Sequence, residues 1–368
     1  MKIHVVSFQV PYPANYGGAI DVYYKLKALR EIGFSIILHT YIYGGATEQA
    51  HLREICKEVH YYRRETGFCH QLHLEPYIAA SRQNKQLLEN LCMDDAPILF
   101  EGLHTCHFLS HPQLRNRKKW VRMHNIEHDY YRLLAMQNRW SWRSLFYIAE
   151  AWKLKCFERI LTHATGILAI SEADETSLNT RFPHNKVVLL PCFYDNVMVS
   201  PKGSTQPYCL YHGNLSVEEN LQVANFIQDH LAVQMPDTQF VLAGRNPSFT
   251  SRHSNVILIP NPSDEKLDTL LTNARVNFLF TFQPTGIKLK LLNALSKSRG
   301  HVIANSEMLH GHDLGELCVQ ACSGKELVAQ LYNLLQQPPT AEAISNRQGI
   351  LQQKQRGRVS RLSLLLRY

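Results

Sequence analysis

Short apolar runs of strand character alternate with helix-periodic stretches along almost the whole chain, and this pattern narrows the fold more than anything else in it. Strands that alternate with helices are joined by crossovers, and crossovers build parallel sheets covered by helices. Ile3 to Phe8 reads as a buried first strand. A loop with Pro11, Pro13, Asn15, Gly17 and Gly18 follows, then a helix with Val22, Leu26 and Leu29 on one face, stopped by Gly33. Phe34 to Tyr43 is the next strand, with further strands at Ile98–Glu101, Lys119–Met123, Gly166–Ile170 and Val187–Leu190. Between Pro191 and Pro207 the pattern lapses into Pro, Gly, Ser, Asn and Thr, a linker composition. It then restarts, with strands at Tyr208–His212, Gln239–Ala243, Asn255–Pro260, Val276–Phe282 and His301–Asn305. Helices are read at Val217–His230, Ser263–Ala274 and Ile287–Ser298.

A length of 368 residues is enough for two domains. The expectation is therefore an α/β protein of two Rossmann-like domains facing across a cleft, residues 1–195 and 208–340. A linker at 196–207 joins them, and a tail at 341–368 is either a closing helix or a frayed end. Apolar residues at 45% and charged residues at 19% exclude a disordered or collagen-like chain. The net charge of +8 allows an anionic partner without naming one. Nine cysteines, an odd number without a C-x-x-C pair, predict reduced thiols. Cys69, His70 and His73 lack a second ligand pair, so no metal is expected there. The opening Met1–Pro13 does not read as a signal peptide, and the stretch Gly33–Tyr43 is too short and too interrupted to span a bilayer. These features predict a soluble, cytoplasmic protein.

Ligands of open parallel sheets bind at the carboxyl ends of the strands, where helix N-termini attract phosphate. The residues just after each strand are therefore the ones to examine. Asn15-Tyr16-Gly17-Gly18 offers free N–H groups to a ligand or simply makes a turn. It is not G-x-G-x-x-G, which argues against a dinucleotide. His124-Asn125-Ile126-Glu127-His128-Asp129 packs hydrogen-bonding and titratable groups where a strand ends. Glu101-Gly102-Leu103-His104 either faces the same crevice or starts a capped helix. In the second half, His212-Gly213-Asn214 and Gly244-Arg245 follow strands. Thr285-Gly286-Ile287-Lys288-Leu289-Lys290 leads into a helix carrying two lysines in its first turns. Cations are unfavourable there unless an anion sits nearby, and a phosphate or a solvated face each accounts for them.

Several of these motifs together resemble the GT-B glycosyltransferases, specifically the retaining group called glycosyltransferase family 4. The resemblance spans about residues 1 to 335 and is carried by Pro13–Gly18, Ala169-Ile170-Ser171-Glu172, Tyr211–Leu215, Val241–Arg245 and Gly286–Ala294. The family pattern places two glutamates where this chain has Thr285 and Asn293, and basic residues where it has Asn214 and, further on, about Asn220. A lysine three residues before the second glutamate position matches Lys290. These departures resemble a divergent branch from bacterial surface-polysaccharide loci.

The resemblance implies a nucleotide-diphosphate-sugar donor held mainly by the second domain, a saccharide or lipid-linked saccharide acceptor, and retention of anomeric configuration. It implies no cofactor and no metal, because Lys290, Lys288, Arg245 and backbone N–H groups at Gly17 and Gly18 would meet the diphosphate charge. His124, with Glu127 as a second candidate, would orient the sugar or stabilise the transition state. Gly213, Asn214, Thr285, Gly286 and Asn293 would complete the donor site, and Asn15, Tyr16, Glu101 and His104 would face the acceptor. Two other readings are a nucleotide-sugar epimerase of the same fold and a degenerate subunit that binds without turnover.

Residues 139–160 mix three tryptophans with bases at helical length, and Arg115, Arg117, Lys118 and Lys119 add charge nearby. The stretch reads equally as a peripheral contact with an anionic inner leaflet or as a long core helix with a solvated edge. No nucleic-acid-binding module is recognisable.

Overall fold

The computed structural model describes the chain except residues 15–16, 68–69, 71–72, 138–140, 196–197, 283–287 and 368, and it gives only the backbone of residue 137. The described residues form two parallel α/β units. One comprises Met1–Tyr194 with Arg358–Tyr368, the other Asp195–Gly357.

The first unit holds β1 (Lys2–Ser7), β2 (Ser35–Ile42), β3 (Glu58–Arg63), β4 (Ile98–Glu101), β5 (Lys119–Arg122), β6 (Gly166–Ala169) and β7 (Lys186–Leu189). Their order is β3-β2-β1-β4-β5-β6-β7, and every pairing is parallel. The strands are short and apolar because helices cover both faces. Along β1, Ile3 and Val5 enter one core cluster and Val6 enters the other, on the opposite face.

The second unit holds β8 (Gln206–Asn214), β9 (Gln239–Arg245), β10 (Val256–Pro260), β11 (Ala274–Leu279), β12 (His301–Ala304) and β13 (Val319–Gln320). Their order is β10-β9-β8-β11-β12-β13, again all parallel. In each sheet the order reverses beside the first strand, between β1 and β4 and between β8 and β11.

Two strands lie outside the sequence reading. In β3, Glu-Val-His-Tyr-Tyr-Arg is a half-exposed edge whose polar residues hide its alternation, and β13 has only two residues. The boundaries also differ from expectation. The tail is a helix, Ala341–Arg367, and the second unit runs past residue 340 to Gly357. From Arg358 the chain rejoins the first unit, where Leu362 and Leu366 are buried with Ile3 and Leu29.

Candidate active site

Where the order of a parallel sheet reverses, the flanking loops diverge and leave a crevice at the carboxyl ends of the strands. In the first unit, Glu101 ends β4 and Arg122 ends β5, with His124 two residues on. Helix Gly17–Glu31 presents Asp21 and Lys25, one turn apart, to the same place. The Lys25 ammonium donates to both Glu101 oxygens, at 2.8 and 2.9 Å, and to Asp21 at 3.1 Å. Arg122 Nε donates to Asp21 at 3.0 Å, and the Phe193 N–H donates to it at 2.7 Å. His124 Nε2 stands 2.9 Å from Glu101 Oε2, and its Nδ1 lies 3.7 Å from Asp21.

Asp21, Lys25, Glu101 and Arg122 are all buried. Burial pushes both carboxyls up, but Lys25 and Arg122 outweigh it at Asp21, and Lys25 and His124 outweigh it at Glu101. Both acids are therefore held below their ordinary range. Two carboxylates meet two cations, so the cluster is charge-balanced without His124. As an acceptor, the Glu101 carboxylate fixes the His124 proton on Nε2 and leaves Nδ1 as the second functional atom. Asp21, Glu101 and His124 offer ligand atoms within 4.8 Å of one another, a spacing that suits a cation. Lys25 and Arg122, however, already supply positive charge to those oxygens.

Gly102 carries φ +77°, and a Cβ there would lie 3.0 Å from His104 Nδ1 and 3.6 Å from the His124 ring. Glycine lets β4 turn while keeping both histidines in place. The His104 ring packs on Phe8 at 5.2 Å, and its Nδ1 is 3.8 Å from Glu127 Oε1. Burial, with Arg82 adding to it, drives His104 well below its ordinary value, so it is neutral. Burial pushes Glu127 up to about 8; Arg82 opposes this and Glu158 adds to it. A neutral carboxylic acid beside a neutral imidazole is a proton donor at neutral pH.

In the second unit, β8 ends in His212-Gly213-Asn214, and Phe280 and Thr281 follow β11. Helix Leu289–Lys297 begins just beyond the undescribed residues. The Lys290 ammonium donates to the Tyr211 hydroxyl at 3.1 Å, Asn220 Oδ1 at 3.0 Å and the Phe280 carbonyl at 3.4 Å, and it lies 4.8 Å from the centre of the Tyr211 ring. All three partners are neutral oxygens. Burial lowers Lys290 to about 8, Glu219 partly opposing and Lys288 adding to the shift. The result is a protonated, under-compensated cation, a setting in which an anion gains most.

Lys288 differs. Its ammonium lies 2.6 Å from Glu219, which also accepts from the Thr281 hydroxyl. Of the two readings of these cations, a phosphate or a solvated face, Lys288 requires neither, because its counter-ion belongs to the chain itself. Burial, with Lys290 nearby, takes His212 down to about 3 and keeps it neutral.

The structure brings His124, Glu101, His104 and Glu127 together in the first unit. Gly17 and Gly18 open the helix that carries Asp21. In the second unit Gly213 and Asn214 pair in register with Gly244 and Arg245, and Asn214 and Arg245 are exposed. Asn293 is half-buried, one turn beyond Lys290. Asn15, Tyr16, Thr285 and Gly286 lie outside the described residues. Sequence reasoning missed Asp21, Lys25, Arg122, Tyr211 and Glu219. The available signal was a charged i, i+4 pair beside the apolar stripe Val22–Leu26–Leu29, together with an arginine inside an apolar strand. Arg117 and Lys119, counted as surface charge, are buried and donate to backbone carbonyls, including those of Ala96 and Leu109.

No protein-family model matches the chain. A Klebsiella pneumoniae protein described as an uncharacterized 44.6 kDa protein in the cps region is 26% identical over 379 aligned positions, covering 91% of this chain and 96% of its own. Sucrose-phosphate synthase from Thermosynechococcus elongatus aligns with a TM-score of 0.69 at 14% identity, over 100% of this chain and 98% of its own. A UDP-forming α,α-trehalose-phosphate synthase from Burkholderia xenovorans, in complex with glucose-6-phosphate, aligns with a TM-score of 0.60 at 11% identity, over 100% of each chain. The fold is GT-B. At these identities the likeness carries the architecture and leaves the reaction to the site. Within this GT-B chain the Asp21–Lys25–Glu101–Arg122–His124 network belongs to the first unit, and Lys290 belongs to the second.

Proposed function

We propose that this chain transfers a glycosyl group from a nucleotide-diphosphate sugar to a saccharide or lipid-linked saccharide acceptor, in the assembly of cell-surface polysaccharide. The observation that carries this is the half-buried Lys290 ammonium at the switch point of the second sheet, held by neutral oxygens and short of negative charge. A departing diphosphate supplies that charge, and the fixed ammonium stabilises it without a metal. His124, oriented by Glu101, is the group for the transferred sugar, and Glu127 is the proton donor nearby. The GT-B architecture and the cps-region relative support donor class and setting, and retention follows from the resemblance to family 4.

Asn293, which stands where the family pattern has a glutamate, favours one other reading: a subunit that binds the donor without turnover. An amide still hydrogen-bonds ribose hydroxyls, without charge assistance. Melting the protein with UDP, GDP, ADP and their sugar conjugates tests both. The proposal requires that one nucleotide raise the midpoint and that its sugar conjugate release nucleotide, by hydrolysis or transfer. Binding with no release establishes the subunit, and sugar conversion without release establishes an epimerase.

A further inference from the structure

Helix Trp142–Phe157 turns its apolar stripe outward. Trp142 is 89% exposed, Leu145 62%, Ile148 56% and Trp152 69%, and their spacing puts them on one face. The helix's inward positions are Ser144, Glu150, Ala151 and Leu154, and Leu154 enters the core of the first unit. Glu150 accepts from the Tyr77 N–H at 2.7 Å and from Lys153 at 2.8 Å. The helix thus buries Ala151 and Leu154 and also carries an apolar stripe outside, where a surface helix ordinarily has polar residues. Leu154 and Phe157 pack in the core as the core-helix reading expects, but the solvated edge is apolar.

Along helix Trp142–Phe157 the exposed charge is cationic. Among the described residues from Asp129 to His163 the acids Glu150 and Glu158 are buried and Asp129 is exposed beside Arg132, while Arg143, Lys155 and Arg159 are exposed. No helix among the described residues is long and apolar enough to cross a membrane. An exposed row of tryptophan and aliphatic side chains on a helix whose exposed charges are cations suits a surface that is apolar just below a layer of negative charge.

We propose that this face of the first unit docks on an anionic phospholipid bilayer. Trp142, Leu145, Ile148 and Trp152 enter the headgroup–acyl boundary, and Arg143, Lys155 and Arg159 pair with lipid phosphates. The proposal deepens the functional reading by naming where a lipid-linked acceptor is met, and to that extent rests on it. The docking itself is argued from exposure and charge and is tested without donor or acceptor.

The full chain is sedimented with vesicles of equal parts phosphatidylglycerol and phosphatidylcholine, and with pure phosphatidylcholine vesicles. It should pellet with the anionic vesicles, less so as salt rises, with a blue shift of tryptophan emission. Trp142→Ser with Trp152→Ser should abolish most of the binding and the shift. Arg143→Gln, Lys155→Gln and Arg159→Gln should each weaken binding to anionic vesicles about five-fold. These exposed substitutions should leave the thermal midpoint and nucleotide-sugar hydrolysis unchanged. The proposal is overturned if the wild-type chain stays in the supernatant, or if the double tryptophan variant pellets as the wild type does. It is equally overturned if sedimentation velocity shows a lipid-free dimer that the double variant dissolves, since the face would then belong to a second copy. Vesicle binding with no donor chemistry would strike only the functional reading; donor chemistry with no vesicle binding would strike only the docking surface.

Discussion

Half-buried Lys290 and buried Glu127 are ionisable groups pushed toward neutrality, and each leaves a pH signature. The folded-state value of Lys290, about 8, lies below its ordinary 10.5, so above pH 8 the folded protein sheds a proton that the unfolded chain keeps. The stability it contributes is complete above 10.5 and is lost as pH falls through 8. A diphosphate beside the ammonium draws the proton back. Donor binding just above pH 8 should therefore take up a proton, read by calorimetry in buffers of different ionisation enthalpy. Lys290→Met should abolish the uptake and weaken donor binding by ~1.5–3 kcal/mol, the range for a hydrogen bond to a charged group. Glu127 has the opposite sign. Its folded value of about 8 lies above the ordinary 4.5, so its stability contribution is complete below 4.5 and is lost as pH rises through 8. Between those values, urea unfolding of Glu127→Gln relative to the wild type should shift by ~1–3 kcal/mol in the variant's favour as pH rises.

Buried polar contacts add to apolar packing in fixing how elements meet. Asp21 ties helix Gly17–Glu31 to Arg122 at the end of β5 and to the Phe193 N–H beyond β7. Asp21→Ala leaves the Arg122 guanidinium buried with only the carbonyls of Ala169 and Leu190. The variant should lose ~3–5 kcal/mol in denaturant unfolding, the cost of breaking one side of a buried ion pair. Gly213 and Gly244 face each other across β8 and β9, and a Cβ on Gly244 would lie 2.0 Å from the Gly213 carbonyl oxygen. Gly244→Ala should therefore force the strands apart and lower the unfolding midpoint by an amount equivalent to ~1–3 kcal/mol. Gly213→Ala meets only the Asn220 amide, at 3.2 Å, and should cost less stability. It should instead weaken donor binding by moving the Asn220 amide away from Lys290.

The chain's end belongs to the unit that its beginning builds. Helix Ala341–Arg367 starts in the second unit, but Leu362 and Leu366 pack into the core formed by Ile3, Leu29 and Phe34. Leu362→Ala should destabilise the first unit by ~2–5 kcal/mol through the cavity it leaves. Hydrogen exchange should show faster opening in β1 and β2 and unchanged protection in β8 and β9. A single melting temperature would hide that difference, because two units need not unfold together. Composition set the expectation of a linker and of a tail that is either a closing helix or a frayed end; it cannot choose between them, because the leucines at 362 and 366 look the same in either unit.

The sequence by itself determined the parallel α/β class, most strands to within a few residues, two units, and the loops after β4, β5, β8 and β11 as places to look. Those features are short-range: strand and helix periodicities and the turn residues between them are written within a few positions of one another. Tertiary structure alone decided which charges are partners. Lys25 meets Glu101 across 76 positions and Lys288 meets Glu219 across 69, so neither pair leaves a local pattern. It alone decided, too, that helix Trp142–Phe157 faces its tryptophans outward. An amphipathic period says that a helix has two faces, and only the packing of its neighbours chooses the one that meets water.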